Sequence, residues 1–274
     1  MAEKVLIIGC GWLGQQLAPV LAAAGYQVFG SRRTQAAAET LPAPIQGITL
    51  DFQPPCSAAQ LALFQDAWLI CTIPPGGRQG GVSDYPQVLQ QLAQLSQAAG
   101  IKGGIHISST GIYQGLSGVV NERADLQLTQ PRVALLAAGE QALQQQGSWL
   151  TLRLSGLMGP GRHPGRFAQG RVLSGATQPV NMVHSADVAA AVLQILSRWP
   201  LPHACYNLSS PQRVTKAEFY QAAAKSLGQV ADSIDLSGPA TEPARQVSSS
   251  AFCQDSGFAF RFADARAALA YCPD

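Results

Sequence analysis

The segment Val5-Leu6-Ile7-Ile8-Gly9-Cys10-Gly11-Trp12-Leu13-Gly14 places a Gly-x-Gly-x-x-Gly pattern directly after a run of apolar residues. The apolar run predicts a buried strand. Residues 12–24 then have the apolar spacing of a helix, and Gly25 is suited to end it in a left-handed conformation. A strand, a tight turn and a helix are therefore predicted in direct succession, which is the context in which this glycine pattern indicates dinucleotide binding.

Each glycine of the pattern has a physical role in such a turn. Gly9 permits the tight turn, Gly11 lets a pyrophosphate approach the backbone, and Gly14 lets the helix lie close to the strand. The helix N-terminus adds unpaired N–H groups and a positive potential. The alternative is a glycine turn with a purely structural role. The residues expected to contact the cofactor here are Gly9, Cys10, Gly11, Trp12, Leu13 and Gly14.

The choice of cofactor should be visible at the end of the second strand, where an acidic side chain would bind the ribose of NAD. Here the chain carries Gly30-Ser31-Arg32-Arg33-Thr34, which contains no carboxylate. Ser31 can donate a hydrogen bond to a 2′-phosphate, and Arg32 or Arg33 can pair with it. NADP(H) is therefore expected in preference to NAD(H). The alternative is that both arginines only solvate a loop.

Two further residues are assigned to the cofactor. Asp51, at the end of the third strand, is a candidate acceptor for the adenine amino group, although an Asp at a strand end is also an ordinary turn former. Thr72 directly follows the fourth strand and completes the predicted cofactor set.

The first half of the chain alternates short apolar runs with helix-patterned stretches, which indicates βαβ units and a parallel sheet. The later strands are uninterrupted enough to be buried on both faces. Strands are predicted over 5–8, 26–29, 45–50, 67–71, 104–107 and 150–154, and helices over 12–24, 85–99 and 132–146. The predicted fold is α/β, a Rossmann-type doubly wound parallel sheet with a small C-terminal substrate lobe.

The character of the sequence changes after residue 155, since Gly and Pro become frequent over 156–179 and predict a loop-rich lobe. Beyond it, a helix beginning near Ser185, a strand over 205–208 and a helix over 216–227 are predicted. We expect a Rossmann domain over 1–155 and a smaller substrate lobe over 156–274, with segments at about 180–210 returning to the Rossmann core.

Composition excludes several classes of protein. The net charge is +2 with 12% charged residues, and Lys and Arg form no runs, so neither nucleic acid nor an anionic membrane is an expected partner. No signal-peptide pattern and no long apolar run are present, which favours a cytoplasmic location. The six cysteines form no Cys-x-x-Cys pair and only four histidines occur, so no metal site and no disulfide framework is expected.

The segment Ile107-Ser108-Ser109-Thr110-Gly111-Ile112-Tyr113 resembles the Ser-Ser-x-x-Val-Tyr segment of extended short-chain dehydrogenases, the NAD-dependent epimerase/dehydratase family. The resemblance spans most of the chain. The segments Gly11-Trp12-Leu13-Gly14 and Gly159 to Phe167 are similar to those of a bacterial subgroup of atypical members. The first turn is one residue tighter than the usual Gly-x-x-Gly-x-x-Gly of that family. Further segments that carry the resemblance are Arg153 to Gly161, Asn181 to Val188 and Tyr206-Asn207-Leu208.

The resemblance breaks at the active site, where the family pairs a tyrosine acid/base with a lysine four residues later. Alignment on Glu140 puts Arg132 and Leu136 at these two positions. In the family's pair the lysine lowers the pKa of the phenol, so that the tyrosine can exchange a proton near neutrality. An arginine does not titrate usefully at physiological pH and a leucine does not titrate at all, so these two residues cannot replace the pair. The sequence therefore predicts an atypical acid/base set.

Four residues are candidates for that set: Ser109, Thr110, Tyr113 and His184. Ser109 matches the family's substrate-polarising hydroxyl, although a strand-end cap is an equally good interpretation. Tyr113 or His184 could replace the missing acid, while a packing role is the alternative for Tyr113.

The loop after Gly159 carries Arg162, His163 and Arg166, which by the resemblance would lie over the substrate and bind phosphate or carboxylate. The alternative is a solvated basic loop. The resemblance also implies a possible homodimer through the helices over 85–99 and 132–146. The expected partner is a small-molecule substrate.

Two functions are consistent with these features. The first is an NADP(H)-binding oxidoreductase or epimerase-like enzyme that acts on a small polar substrate. The second is a non-catalytic NADP(H)-binding redox sensor or regulator, consistent with the loss of the Tyr-Lys pair while the nucleotide turn is kept.

Overall fold

The computed structural model describes residues 2–50, 58–76, 83–145, 148–230 and 233–273. The first part of the chain forms β1 (Lys4–Ile8), α1 (Trp12–Ala23), β2 (Gln27–Arg32), α2 (Gln35–Glu39), β3 (Gln46–Thr49), α3 (Ala58–Phe64), β4 (Trp68–Cys71), α4 (Tyr85–Ala99), β5 (Gly103–Ser109), β6 (Gly118–Val120), α5 (Pro131–Gln144) and β7 (Trp149–Leu154). The second part forms β8 (Gly156–Met158), α6 (Pro164–Ala168), β9 (Val172–Ser174), β10 (Met182–His184), α7 (Ser185–Ser197), β11 (Cys205–Leu208), α8 (Lys216–Ser226), β12 (Asp235–Gly238), β13 (Arg245–Val247) and α9 (Ser250–Ser256).

Seven strands form one parallel sheet in the spatial order β11-β7-β5-β4-β1-β2-β3. From β1 the chain adds β2 and β3 on one side and then β4, β5, β7 and β11 on the other. The direction of winding therefore reverses between β1 and β4, and such a reversal opens a crevice at the carboxyl ends of the strands. The predicted doubly wound Rossmann-type sheet is confirmed.

The central strands are apolar because helices cover both faces of the sheet. The residues of β1 from Val5 to Ile8 are completely buried, as are those of β4 from Leu69 to Cys71. The expectation that the strand predicted over 45–50 is buried on both faces is wrong, because the residues of β3 are exposed or half-buried. The reason is position, since β3 lies at the edge of the sheet and β2 is its one neighbour among the described strands.

The segment after residue 180 contributes a strand to the main sheet. β11 pairs with β7, so that Cys205 lies opposite Thr151, and α7 packs against α1 in the same apolar core. Within 156–179, which was predicted to be rich in loops, β8, α6 and β9 are three to five residues long. Elements this short contain less than two turns of helix or two alternations of a strand, so their periodicity cannot be read.

No helix in the part of the chain that the structure describes is both long enough and apolar enough to cross a membrane.

A buried ion pair joins α5 to the sheet. The Arg153 guanidinium donates to both carboxylate oxygens of Glu140, with its Nη2 2.7 Å from Oε2 and its Nε 3.0 Å from Oε1. The Ser108 hydroxyl donates to Glu140 at 2.6 Å, and Arg153 Nη1 donates to the Tyr113 hydroxyl at 2.7 Å. Burial disfavours the charged guanidinium, but the hydrogen bonds and charge of Glu140 raise the pKa of Arg153 above its ordinary value. The network therefore connects α5, β5 and β7.

We expect Glu140→Leu to lower the free energy of unfolding by about 3–5 kcal/mol, because it leaves the Arg153 guanidinium buried without a counter-charge. Urea denaturation at neutral pH measures the loss. The double variant Glu140→Leu/Arg153→Met is the control, since it removes both charges and should lose less than Glu140→Leu alone. A double variant that is as unstable as the single one or worse would contradict this account.

His106 is a second buried polar group in the sheet. It lies on β5 with no exposed surface, and its Nε2 is 2.8 Å from the Tyr85 hydroxyl oxygen on α4. Burial, together with the nearby positive charge of Arg153, lowers the pKa of His106 to about 3. The folded protein therefore holds a neutral imidazole throughout the physiological range.

The unfolded chain binds a proton at this histidine below about pH 6.5, while the folded chain does not. The stability due to neutral His106 is thus complete above about pH 6.5 and is lost as the pH falls toward 3. We expect the free energy of unfolding of His106→Gln to fall less steeply between pH 6 and 4 than that of the unmodified protein, by about 1.4 kcal/mol per pH unit. Urea titrations at several pH values and constant ionic strength measure both slopes, and parallel curves would contradict the assignment.

Candidate functional site

The glycine turn after β1 is held from both neighbouring strands. Gly9 has a φ of +78°, and a Cβ atom there would lie 2.8 Å from the side chain of Ile73. Its N–H donates to the Ser31 hydroxyl oxygen at 2.9 Å, and the Thr72 hydroxyl donates to its carbonyl oxygen at 2.9 Å. Only glycine is free of strain at this position, because both the backbone conformation and the space exclude a side chain.

The other two glycines of the turn meet different surroundings. A Cβ atom on Gly14 would lie 2.8 Å from Cγ2 of Ile7, so the absence of a side chain lets α1 approach β1. Gly11 is the N-cap of α1, and the nearest atom to a Cβ placed there would be the Gly9 carbonyl oxygen at 3.7 Å. The space beside Gly11 is therefore open, next to the N–H groups of the first helical turn, which have no acceptor within the helix.

Two predicted cofactor residues lie beneath the turn. Ser31 is buried, and its oxygen accepts the Gly9 N–H, so its side chain holds the turn in place. Cys10 is buried as well, with its sulfur 3.0 Å from the Cβ position of Gly14. Burial raises the pKa of Cys10 to about 11, which keeps this thiol protonated.

The arginines at the end of β2 differ in exposure. Arg32 is half-buried, and its Nε is a buried donor with no acceptor among the described residues. Arg33 is exposed. A donor without an acceptor at the end of β2 fits a ligand that brings an anionic group there. Asp51, the predicted adenine acceptor, lies outside the described residues.

A cleft of about 730 Å³ opens at the carboxyl ends of the central strands. The turn forms one end of it, the segments after β4, β5 and β7 form its floor, and α5 forms a wall. Its described lining comprises Gly9, Gly11, Trp12, Leu13, Thr72, Ile73, Pro74, Pro75, Gly76, Ile107, Ser108, Ser109, Thr110, Arg132, Leu136, Leu154, Ser155, Gly156, Leu157 and Arg162.

The ionisable side chains among the described lining residues of this cleft are both cationic. Arg132 and Arg162 are the only ionisable side chains among the lining residues that the structure describes. An arginine keeps its proton at any physiological pH, so neither side chain can act as a general acid or base. The described lining therefore offers hydrogen-bond donors and hydroxyl groups but no side chain that exchanges a proton near neutral pH.

Of the four candidate catalytic residues, Ser109 and Thr110 line the cleft and the other two do not. Tyr113 has no exposed surface, and its hydroxyl donates to Asn207 at 2.8 Å while accepting from Arg153. Burial raises the pKa of Tyr113 to about 12. Its hydroxyl is thus part of the buried network beneath the sheet edge.

His184 is 3% exposed and caps α7. Its Nδ1 accepts the Ala186 N–H, and its Nε2 lies 2.9 Å from the Tyr271 carbonyl oxygen. Burial lowers the pKa of His184, although the Tyr271 carbonyl and the charge of Asp187 oppose this shift. Both ring nitrogens are engaged within the protein, and His184 is not among the described residues that line the cleft.

The structure also places the three residues predicted to bind substrate in different environments. Arg162 lines the cleft, with its guanidinium 5.2 Å from the centre of the Trp12 ring and its Nε donating to the Leu157 carbonyl. His163 is buried and caps α6, where its Nδ1 accepts the Gly165 N–H. Arg166 is exposed on α6. Only Arg162 is therefore placed to meet a ligand in the cleft.

The loop that carries Arg162 touches the nucleotide turn directly. The Trp12 indole N–H donates to the Pro160 carbonyl at 2.8 Å. Ser155, which the sequence did not single out, also lines the cleft and has a buried hydroxyl with no partner in the described part of the chain. Nothing local to Leu154-Ser155-Gly156 distinguishes this serine from a loop residue, so only the folded chain could identify it.

Comparisons with known proteins agree with this architecture. A family model described as NAD(P)H-binding matches residues 9–198. The chain is 34% identical over 283 residues to protein YeeZ of Escherichia coli strain K12, with 96% of this chain and 97% of YeeZ covered. It is similar in structure to a functionally unknown conserved protein from Silicibacter pomeroyi, with a TM-score of 0.77, 20% identity and 98% of each chain covered.

A second solved structure is that of UDP-glucuronic acid 4-epimerase from Bacillus cereus in complex with NAD. The TM-score is 0.78 and the identity 17%, with 98% of this chain and 97% of that chain covered. At this identity the likeness concerns the fold. The resemblance to the epimerase/dehydratase family, drawn from short segments, is confirmed at that level.

We expect Gly14→Ala to lower the free energy of unfolding by about 1–3 kcal/mol, because its methyl group would overlap Ile7 and push α1 away from β1. Gly11→Ala is the matched control in the same turn, since its methyl group would meet open space, and it should cost less. Urea denaturation of both variants measures the difference. Equal losses would mean that the close approach at Gly14 does not limit the packing of α1.

Proposed function

The chain belongs to the NAD(P)H-binding family, and on that basis we propose that it is an NADP(H)-dependent oxidoreductase or epimerase-like enzyme for a small polar substrate. The observation that carries the proposal is the continuity of the cleft. It begins at the glycine turn at the N-terminus of α1 and extends past Ser109 to Arg132, so one space has room for a dinucleotide and a second small molecule.

The turn would hold the pyrophosphate. The open space beside Gly11 leaves room for it, and the N–H groups of the first turn of α1, which have no acceptor within the helix, provide donors and a positive potential. The side chains lining the cleft cannot transfer a hydride, which is the chemistry that a bound nicotinamide supplies. The contribution of this chain is to bind, to orient and to hydrogen-bond the substrate beside it.

The preference for NADP(H) over NAD(H) rests on the end of β2. No carboxylate occurs over 30–34 to bind a ribose 2′-hydroxyl or to repel a 2′-phosphate. The buried Nε of Arg32 has no acceptor in the described part of the chain, and the exposed Arg33 follows it directly. A 2′-phosphate would satisfy the first donor and accept a charge-assisted hydrogen bond from either arginine.

Ser109 and Thr110 are the side chains proposed to hydrogen-bond the reacting carbonyl or hydroxyl of the substrate. Both line the cleft, and the oxygen of Ser109 accepts the Gly111 N–H at 3.1 Å, which leaves its own O–H to donate. Tyr113 and His184 are left out of this assignment, because their polar atoms are buried and engaged elsewhere.

One observation favours the second candidate, a non-catalytic NADP(H)-binding redox sensor. Reduction of a carbonyl needs a proton as well as a hydride, and the described lining residues include no group that titrates near neutrality. Incubation with NADPH and a panel of carbonyl and sugar-nucleotide substrates separates the two functions. Oxidation of NADPH supports the enzyme, whereas binding that only changes self-association or partner affinity supports the sensor.

We expect NADPH to bind more tightly than NADH, and Arg32→Ala/Arg33→Ala to weaken NADPH binding by about 10- to 100-fold while changing NADH binding little. Tryptophan fluorescence, confirmed by calorimetry, measures both affinities. Arg213→Ala is the control, since it removes a positive charge from an exposed residue that does not line the cleft. Equal loss of both nucleotides in the double variant would contradict the 2′-phosphate assignment, and binding of neither by the unmodified protein would overturn the proposed function.

A further inference from the structure

Trp12 belongs to two parts of the protein at once. It is the first residue of α1, so its backbone N–H lies in the first helical turn, where N–H groups have no acceptor within the helix. Its indole N–H donates to the carbonyl oxygen of Pro160, a residue 148 positions later in the sequence. In the proposed function the backbone of Trp12 thus lies beside the pyrophosphate, while its side chain holds the segment 156–162.

The ring of Trp12 also packs against this segment. A Cβ atom on Gly159 would lie 3.3 Å from Cζ2 of Trp12, so the absence of a side chain lets the backbone approach the indole ring. The Arg162 guanidinium lies 5.2 Å from the centre of the Trp12 ring and 5.7 Å from the centre of the Phe167 ring. The segment therefore meets Trp12 through residues on both sides of Pro160.

The segment has a second attachment, at the C-terminal part of the chain. The Gly161 N–H donates to the Pro273 carbonyl oxygen at 2.6 Å. Two residues earlier, the Tyr271 ring packs against the Phe262 ring, with the ring centres 4.9 Å apart, and its centre lies 4.8 Å from the Arg261 guanidinium. These residues lie outside the nucleotide turn, so the two attachments of the segment can be weakened independently.

The same segment forms part of the cleft. Leu157 and Arg162 line it together with Gly11 and Trp12, and Nε of Arg162 donates to the Leu157 carbonyl oxygen at 3.1 Å. A ligand that accepts hydrogen bonds from the first turn of α1 restrains the backbone of Trp12, and the indole transmits this restraint to Pro160. A second ligand that then binds beside Leu157 meets a segment that is already ordered, so its binding loses less conformational entropy.

We propose that Trp12 is a positioning residue, which couples the occupation of the nucleotide turn to the order of the segment 156–162, so that bound NADP(H) prepares the adjoining part of the cleft for the second ligand. This inference rests on the proposed function for the nucleotide and adds cooperativity between its two ligands. The coupling is reciprocal, so a second ligand in the cleft also tightens the binding of the nucleotide.

Hydrogen–deuterium exchange of the full chain, followed by mass spectrometry of its peptides, measures how well the segment is ordered. The chain is labelled alone, with saturating NADPH and with saturating ADP, which carries a pyrophosphate but no nicotinamide. We expect both nucleotides to slow the exchange of the amides over 156–162 by about 5-fold or more, the low end of typical coupling between two sites. Slowing by NADPH alone would overturn the inference, because the nicotinamide half would then cover the segment directly.

The variant Trp12→Phe tests the indole N–H. It keeps an aromatic ring and loses the donor to the Pro160 carbonyl oxygen. We expect both nucleotides still to slow exchange over 9–15 in this variant, because the backbone of the turn is unchanged, while most of the slowing over 156–162 is lost. Trp12→Leu, which removes the ring as well, should lose all of it.

Two control variants separate the coupling from a purely structural role. Trp199→Phe makes the same change at a tryptophan that packs against Trp68 and is not among the described lining residues, so it should keep the full slowing. Tyr271→Ala weakens the C-terminal attachment and should speed exchange over 156–162 in every state, yet keep the slowing by both nucleotides. Loss of the slowing in Tyr271→Ala would overturn the inference, because any loosening of the segment would then have the same effect. Circular dichroism and urea denaturation establish that each variant is folded.

Calorimetric titration with NADPH and with ADP separates this inference from the proposed function. Should the unmodified protein bind ADP but not NADPH, the proposed function fails, and exchange in the presence of ADP still tests Trp12. Binding of both nucleotides without slowing over 156–162, or equal slowing in the unmodified protein and Trp12→Phe, would overturn the inference and leave the proposed function standing. Binding of neither nucleotide would overturn both.

Discussion

The buried ion pair between Glu140 and Arg153 fixes the position of α5, which forms a wall of the cleft. Arg132, Leu136 and Glu140 follow one another at intervals of four along one face of α5, so the orientation of Glu140 sets the orientation of the other two. Its carboxylate is bound by the Arg153 guanidinium on β7 and by the Ser108 hydroxyl on β5. A rotation of α5 that moved Arg132 away from Ser109 would therefore have to break a buried ion pair, which is costly.

A second set of contacts connects the two ends of the cleft. The nucleotide turn is fastened to β2 through Ser31 and to β4 through Thr72. The indole N–H of Trp12, in the turn, donates to the Pro160 carbonyl, and the Arg162 guanidinium packs against the Trp12 ring. The segment that follows β7 is thus attached to the turn itself, and residues of both parts of the chain line the cleft.

The chemistry available in this cleft is that of hydrogen-bond donors. In the proposed function the hydroxyl groups of Ser109 and Thr110, which line the cleft, hydrogen-bond a substrate whose carbonyl or hydroxyl reacts beside a nicotinamide. No side chain among the described lining residues is assigned to exchange a proton with the substrate. Tyr113 and His184, the residues predicted to replace the missing acid of the Tyr-Lys pair, are not assigned this role, because both side chains are buried inside the protein.

Much of the fold was readable from local patterns. The apolar run before Gly9, the glycine spacing and the helix over 12–24 predicted the turn, and the successive apolar runs predicted the parallel sheet, because burial on both faces requires such runs. The absence of a carboxylate over 30–34 was likewise a property of the sequence alone. Short elements such as β8 and β9 were missed, since three residues show no period.

The sequence by itself determined the nucleotide turn, the sheet and the charge at the end of β2, all of which depend on residues close together in the chain. Only the tertiary structure decided which polar side chains face the cleft. In the folded protein Ser31 lies beneath the turn, and Arg132 lies beside Ser109. The Tyr113 hydroxyl donates to Asn207, which follows it by 94 positions in the sequence. The physical reason is that a side chain's direction is set by packing against segments remote in sequence, which no local pattern records.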